Sequence, residues 1–174
     1  NAAGSLTTYI WDYENRMIKV TQTGSVVTTL VYDGDGLRRK KQTASDTTKF
    51  IWDDQDVLLE TNDAGITQVN YTQTPDMYGS LVSQRRSGTS KIYFYDAFGS
   101  TSELTNSSQT QTDSYRYYAF GKNLASTGST VNPFQFVGRL GYYNESGLAL
   151  QYLRARWYNP STGRFISEDP LLTL

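Results

Sequence analysis

The chain has 174 residues, with 16 basic and 17 acidic side chains, and it contains neither cysteine nor histidine. Without these two residue types, disulfides, thiolate or imidazole metal sites, and Ser-His or Cys-His catalytic dyads are excluded. The nearly balanced charge does not indicate a nucleic-acid surface, and no run of about 18 apolar residues predicts a membrane span.

Aromatic residues make up 14% of the chain, and 12 of its 17 acidic residues are aspartate. Aspartate favours turns and is depleted in strand interiors, whereas glutamate is the better helix former. No window of about 11 or more residues shows the apolar spacing of a helix. The composition and spacing therefore predict an all-β chain.

A repeat in which an aromatic residue precedes aspartate runs through the first two thirds of the chain. The pairs are Trp11-Asp12, Tyr32-Asp33, Trp52-Asp53 and Tyr95-Asp96, and Tyr118-Ala119 is interpreted as a further pair without its aspartate. A turn residue follows in each repeat, at Asn15, Gly36, Asp56, Gly79, Gly99 and Gly121. These turn residues are 21, 20, 23, 20 and 22 positions apart, so the period is near 21.

Each repeat has the composition of one hairpin. A run of β-branched and aromatic residues leads into a polar turn, a second run leads out, and a polar loop follows. The aspartate is expected to accept amide hydrogen bonds within its turn, and the aromatic residue is expected to pack on its counterparts in neighbouring repeats. Stacked antiparallel hairpins of this kind would leave open sheet edges at both ends, through which copies could associate.

The sequence divides into three parts. Residues 1–121 carry the repeats, residues 122–132 form a linker-like loop rich in Ser, Thr, Gly and Asn, and residues 133–174 form a different segment. Within this last segment, Arg154 and Arg156 are predicted on one face of a strand with Tyr152, because residues two apart project together. Two such arginines are interpreted as planar forks that bridge strands, with anion or sugar contact as the alternative.

The repeats resemble the YD repeats of the Rhs family, and the final segment resembles the Rhs repeat-associated core. The residues that carry the second resemblance run from Tyr152-Leu153-Arg154-Ala155-Arg156-Trp157-Tyr158 through the turn Asn159-Pro160-Ser161-Thr162-Gly163 to Arg164-Phe165-Ile166-Ser167-Glu168-Asp169-Pro170. The resemblance implies a bacterial protein, secreted or at the cell surface, whose repeats wind as a β-sheet spiral into a hollow shell wall. It also implies that the shell encloses or presents a C-terminal polypeptide toxin.

Three departures from the family pattern limit what the resemblance implies. The family's self-cleavage motif, which would follow Leu174, is missing, and we therefore expect no enzyme activity. Asn159 stands where the family often has aspartate, and the number of repeats suffices for only part of a shell. The residues assigned a structural role are Trp11, Asp12, Tyr32, Asp33, Trp52, Asp53, Tyr95, Asp96, Arg154, Arg156, Arg164 and Asp169, and no catalytic residue, metal ligand or cofactor is predicted.

Other charged groups have competing interpretations. Asp33-Gly34-Asp35-Gly36 is read as a hairpin turn rather than a calcium loop, because the twelfth position, Ala44, is not glutamate. Glu168 and Asp169 either pair with an arginine or close a turn, whereas a proton-sharing carboxylate pair is the functional alternative. The run Arg38-Arg39-Lys40-Lys41 predicts a solvated edge strand, with a polyanion site as the alternative.

Two functions follow, and burial of the aromatic side chains distinguishes them. In the first, the chain is a wall fragment whose partners are the rest of its Rhs chain or the toxin cargo. In the second, it is a surface module that binds a carbohydrate or another partner. Tyrosine and tryptophan packed between repeats would favour the wall, whereas a contiguous exposed aromatic groove would favour glycan binding.

Overall fold

The computed structural model describes residues 6–169, which form two β-sheets and two short 3₁₀ helices. The strands of the first sheet are β1 (Thr8–Trp11), β2 (Met17–Gln22), β3 (Val26–Tyr32), β4 (Arg38–Gln42), β5 (Thr47–Asp53), β6 (Asp56–Thr61), β7 (Thr67–Gln73), β8 (Leu81–Arg86), β9 (Thr89–Tyr95), β10 (Thr101–Thr105), β11 (Gln111–Tyr117) and β12 (Asn123–Thr127). Those of the second are β13 (Tyr143–Glu145), β14 (Leu150–Leu153), β15 (Arg156–Asn159) and β16 (Arg164–Phe165). The helices span Gly138–Leu140 and Ser146–Leu148.

The twelve strands of the first sheet pair in chain order, each antiparallel to the next. This arrangement confirms the all-β prediction of successive hairpins. Within residues 6–169, β1 and β12 pair with one strand each and so form the two ends of the sheet. The part of the chain that the structure describes has no helix long and apolar enough to span a membrane.

A β-bulge recurs near the start of every even-numbered strand of this sheet. The pairing register skips one residue each time, and the skipped residues are Ile18, Arg39, Leu58, Val82, Ser102 and Leu124. A bulge reverses which face the following side chains occupy and increases the local twist of the strand. The period of about 21 residues is therefore visible in the pairing as well as in the sequence.

The second sheet lies against the inward face of the first. One continuous core joins the two sheets, with Phe50, Val69 and Leu104 from the hairpins and Phe134, Tyr152 and Trp157 from the final segment. Phe134 packs edge-on against Tyr71 and Tyr143, with ring centroids 4.9 Å and 5.4 Å apart. The predicted core segment thus covers the hairpins as a second layer.

Residues 122–132 differ from the loop that was predicted. Asn123–Thr127 form β12, which pairs with β11, although all five residues are exposed. Their composition carries little strand preference, so the pairing depends on the free edge of β11. The rest of the stretch is fixed by Asp113, whose carboxylate accepts the amide of Thr130 at 2.9 Å and its hydroxyl at 2.6 Å. The first five residues of the predicted repeat region, and residues 170–174 of the final segment, lie outside the described residues.

The prediction of one strand through Arg154 and Arg156 was wrong. Arg154 has a positive φ of 56° and begins a two-residue turn between β14 and β15. A residue in this conformation ends a strand, so the chain reverses and Arg156 lies on the next strand.

Candidate functional site

The aspartates of three repeats organise the turns that join odd strands to even strands. The Asp33 carboxylate accepts the amides of Asp35 at 3.1 Å and Leu37 at 2.9 Å. Asp12 and Asp96 accept amides two and four residues further on in the same way. Because Asp33 Oδ1 accepts two amides of its own turn, the turn interpretation of this segment is confirmed. Among residues 6–169 no group of three or more acidic side chains is placed to hold a metal ion.

Asp53 does not share this geometry. It pairs directly with Asp56 across a two-residue turn, and Asp54 in that turn has a φ of 47°. Asparagine makes the same kind of hydrogen bond in two turns that join an even strand to the next odd strand, at the other ends of the strands. Asn62 accepts the amide of Ile66 at 2.9 Å, and Asn106 accepts that of Thr110 at 3.0 Å.

The repeated aromatic residues bond to the backbone of the preceding hairpin. Tyr32 donates to the carbonyl of Met17, and Trp52 Nε1 donates to that of Arg38, each at 2.8 Å. Tyr95 and Tyr117 make the equivalent bonds to Leu81 and Thr101. Each of these carbonyls belongs to the residue directly before the bulge, and the aromatic side chain satisfies it as an acceptor.

This bonding corrects two details of the predicted repeat. No ring contact within residues 6–169 joins one repeat aromatic to the next, so the expected stacking between repeats was wrong. The fifth pair is Tyr117-Tyr118 rather than Tyr118-Ala119, because the amide of Gly121 donates to the carbonyl of Tyr118. Burial raises the pKa of Tyr32 to about 12, so its hydroxyl keeps the proton that it donates.

The main polar contact between the two sheets is centred on Arg38, which has 0% exposure. Its guanidinium pairs with Glu145 of β13 and lies 4.2–5.6 Å from four ring centroids. Those rings belong to Phe50, Tyr143, Tyr152 and Trp157. Burial alone would lower the pKa of Arg38, but the Glu145 carboxylate raises it and the side chain stays charged.

The prediction that residues 38–41 form a solvated edge strand was wrong. Their strand, β4, lies between β3 and β5 in the middle of the hairpins. The bulge at Arg39 places Arg38 and Lys41 on the same inward face, and Lys41 Nζ lies 2.8 Å from Glu145 Oε2. The two remaining basic residues of the run lie on the outer face.

A second buried carboxylate, Glu60 of β6, joins the same two sheets. Its Oε1 accepts hydroxyl hydrogens from Tyr71 at 2.8 Å and Tyr143 at 2.9 Å, and Arg86 lies 3.4 Å from Oε2. Burial raises the pKa of each of these two tyrosines well above the usual tyrosine value, and the charge of Glu60 raises both further. Both hydroxyls are therefore protonated donors at neutral pH, and the contact is a fixed structural joint.

Arg154 acts as the predicted bridging fork. Its guanidinium donates to the carbonyls of Gln55 at 2.5 Å and Leu140 at 2.9 Å, and it pairs with Asp56 at 3.1 Å. Burial raises the pKa of Asp56, and the Gly79 amide and Arg154 offset only part of that effect. The turn residue of one hairpin is thus tied to the turn of the second sheet.

The acidic pair near the end of the segment follows one of its predicted arrangements. Asp169 pairs with Arg156 at 2.8 Å, and the Arg156 guanidinium lies 3.8 Å from the Phe165 ring centroid. Arg164 is exposed on β16.

Sequence patterns did not single out Glu60 or Glu145, because both look like ordinary members of short strands.

The exposure of the aromatic residues is mixed. The repeat aromatics pack against the core, but Tyr13 is 92% exposed. Together with Trp11 and Phe165 it lines a groove of about 670 Å³, which Glu14 and Glu168 border.

Comparison with known proteins supports the resemblance to Rhs-related proteins. No family model matches the chain. It is 32% identical over 170 residues to the tRNA3(Ser)-specific nuclease WapA of Bacillus spizizenii, covering 94% of this chain and 7% of that protein. It is 26% identical to the double-stranded DNA deaminase toxin A of Burkholderia cenocepacia, of which it spans 14%.

Solved structures share the fold. A chain in the crystal structure of TcdB2-TccC3-Cdc42 matches 94% of this chain with a TM-score of 0.72 and 16% identity. A chain of the Tc holotoxin pore of Photorhabdus luminescens matches 97% with the same TM-score and 19% identity. In both cases this chain spans 9% of the matched chain. The all-β sheet of antiparallel hairpins is therefore an architecture that these toxin assemblies also contain.

Proposed function

We propose that this chain is a wall fragment of a bacterial Rhs-type shell, secreted or at the cell surface, that encloses or presents a C-terminal polypeptide toxin. In this proposal residues 133–174 are the Rhs repeat-associated core segment. The observation that carries it is the attachment of that segment across the inward face of the hairpins through Arg38, Glu60 and Asp56. A layer held by buried ion pairs at several points suits a fixed closure rather than a mobile lid.

The similarity to nuclease and deaminase toxins supports this reading, because the chain spans only 7% to 14% of those proteins. A fragment of that size fits a structural framework that proteins with different activities share. The activities in their names are those of the whole proteins.

Protease protection in the longer protein tests the enclosure. The polypeptide that follows the core segment should resist digestion in the wild type and in Glu103→Ala, whose side chain is exposed on β10. Glu145→Ala removes the partner of a buried arginine, so it should loosen the inner layer and speed digestion at least tenfold. Equally fast digestion of the following polypeptide in the wild type would show that nothing is enclosed.

We further propose that the segment itself is not an enzyme. Its buried carboxylate, Glu145, is engaged by Arg38 and Lys41, and Asp169 pairs with Arg156. Mass spectrometry of the purified chain after prolonged incubation should return the intact mass. A specific fragment that disappears in Glu145→Gln or Asp169→Asn would assign catalysis to the segment.

Glycan binding is a second candidate, and the groove between Trp11, Tyr13 and Phe165 favours it. Aromatic faces with flanking carboxylates suit the stacking and hydroxyl contacts of a sugar ring. Titration with soluble cell-wall oligosaccharides, followed by tryptophan fluorescence, should show saturable binding that Tyr13→Ala weakens and Tyr118→Ala, a matched exposed control, does not. Identical titration curves for the two variants would reject the groove as a sugar site.

A further inference from the structure

The outer face of the large sheet carries two lysines directly opposite each other. Lys40 of β4 pairs with Lys49 of β5 in the antiparallel register. Directly opposed side chains have Cβ atoms about 4.5–5.5 Å apart, and like charges in such a pair repel. Both side chains point away from the second sheet, since their neighbours Lys41 and Phe50 face inward.

The surrounding rows of the outer face offer no carboxylate to compensate. On either side of the pair lie Val31 and Thr61. The next row runs through Lys19, Thr29, Gln42 and Thr47 on four successive strands. Lys19, Lys40 and Lys49 therefore form one basic patch, with only neutral residues between Lys19 and the opposed pair.

Arg39 adds a further positive charge at the rim of the patch. It is the bulged residue of β4 and is exposed. The bulge turns it outward beside Lys40, whereas Arg38 and Lys41 point inward and pair with Glu145. The basic run is thus divided between two faces by one extra residue.

Contacts of the lysines do not neutralise the patch. Lys40 Nζ donates to the neutral Gln42 at 3.3 Å, and within residues 6–169 it makes no ion pair. Lys49 lies 3.2 Å from Asp63, but that carboxylate is 77% exposed and belongs to a turn. An exposed pair of this kind is weak and screened by salt. By contrast, Arg38, Arg86 and Arg154 each meet a buried carboxylate.

We propose that Lys19, Arg39, Lys40 and Lys49 form a binding surface for a polymer that carries tetrahedral oxyanions, either phosphate or sulfate. An open sheet face presents these cations side by side across β2, β4 and β5 rather than around a pocket, which fits successive anionic groups on an extended chain. The net charge of the protein is −1, so the attraction is local to the patch. The surface lies opposite the second sheet and is independent of any enclosed polypeptide.

Calorimetric titration with long-chain inorganic polyphosphate at low ionic strength tests this surface, with dextran sulfate as the second arm and neutral dextran as the blank. The double variant K40Q/K49Q should bind at least tenfold more weakly than the wild type. K122Q, which makes a single charge change at the exposed residue before β12, should bind as the wild type does. Raising the salt from about 50 to about 200 mM should weaken wild-type binding by about fiftyfold, since four cations are neutralised.

The two polymers distinguish the source of the anion. Tighter binding of polyphosphate assigns phosphate, and tighter binding of dextran sulfate assigns sulfate. Failure of both polymers to bind, or equal affinity for K40Q/K49Q and the wild type, would overturn the proposal. Thermal unfolding at low salt supplies the folding control, because removing an opposed pair should leave the melting temperature unchanged or raise it. A markedly lower melting temperature of K40Q/K49Q would show that the lysines stabilise the sheet, which contradicts the proposed repulsion.

Discussion

Arg38 and Arg39 are neighbours in the chain, yet the first is enclosed by four aromatic rings and the second is exposed. Their different environments arise from the bulge, which lets two adjacent side chains serve opposite faces of the sheet. A buried arginine is tolerated here because Glu145 supplies the opposite charge and the rings supply favourable faces.

Replacing Arg38 with alanine should therefore destabilise the protein by about 3–5 kcal/mol, because Glu145 would lose its main buried partner. Arg39→Ala is the matched control and should change the free energy of unfolding by no more than about 0.5 kcal/mol. Urea denaturation followed by tryptophan fluorescence measures both. The joint change Arg38→Met with Glu145→Leu should recover most of the loss, and similar values for the two single variants would refute the buried role of Arg38.

Asp113 gives a prediction about pH. Burial alone would raise the pKa of Asp113, but hydrogen bonds from Thr112 and Thr130 outweigh it, so the pKa lies below its ordinary value of 3.8. A lowered pKa in the folded state means that the unfolded state takes up the proton first as the pH falls. The stabilisation is therefore complete above the ordinary pKa and is lost as the pH falls through the lowered value.

Asp113→Asn should lower the free energy of unfolding at pH 7 by about 1–3 kcal/mol, since Thr130 loses charged acceptors. It should also flatten the fall in stability below about pH 4. Denaturation midpoints measured between pH 2.5 and 7 would reveal both effects. A variant that keeps the wild-type acid slope would show that other carboxylates govern acid unfolding.

At the scale of elements, the sequence predicted the hairpins and their turns but not the bulges. Aspartate followed three residues later by glycine predicts a turn because both residue types have local backbone reasons to occur there, as Gly36 with a φ of 80° shows. A bulge depends on the register between two strands and leaves no composition of its own. The single-strand prediction for Arg154 failed for a related reason, since no glycine or proline marks that turn.

The turns also offer a matched pair of aspartates. Asp33→Ala should cost about 1–2 kcal/mol, because two amide hydrogen bonds are lost. Asp53→Ala should lie within about 0.5 kcal/mol of the wild type, since its exposed carboxylate does not organise its two-residue turn. Chemical denaturation of both variants measures the difference, and equal losses would mean that the side-chain bonds of Asp33 contribute little.

At the scale of the whole molecule, the two sheets depend on each other. The hairpins alone would expose Phe50, Tyr71 and Leu104, which the final segment covers. The joints at Glu60 and Glu145 could not be predicted from sequence, because they connect strands more than 80 residues apart, as the 83-residue separation of Tyr143 from Glu60 shows. Only the resemblance of the last segment to a known core indicated that it had a separate role.

A shortened chain of residues 1–131 should therefore lose cooperative thermal unfolding and aggregate, because it keeps the sheet but removes its cover. The full chain should unfold in one transition under the same conditions. Circular dichroism and light scattering on both proteins provide the test. A soluble shortened chain with an unchanged melting temperature would mean that the hairpins fold without their second layer.

The bulge and the carbonyl bond beside it have a consequence for how such a chain can change over generations. At four hairpins of the described residues, the aromatic side chain at the end of β3, β5, β9 or β11 fixes the register by binding the backbone of the hairpin before it. Duplication or loss of about 20 residues would add or remove one complete hairpin and leave every other pairing in place. Genes for such chains can thus lengthen or shorten by unequal recombination while the protein keeps the same fold.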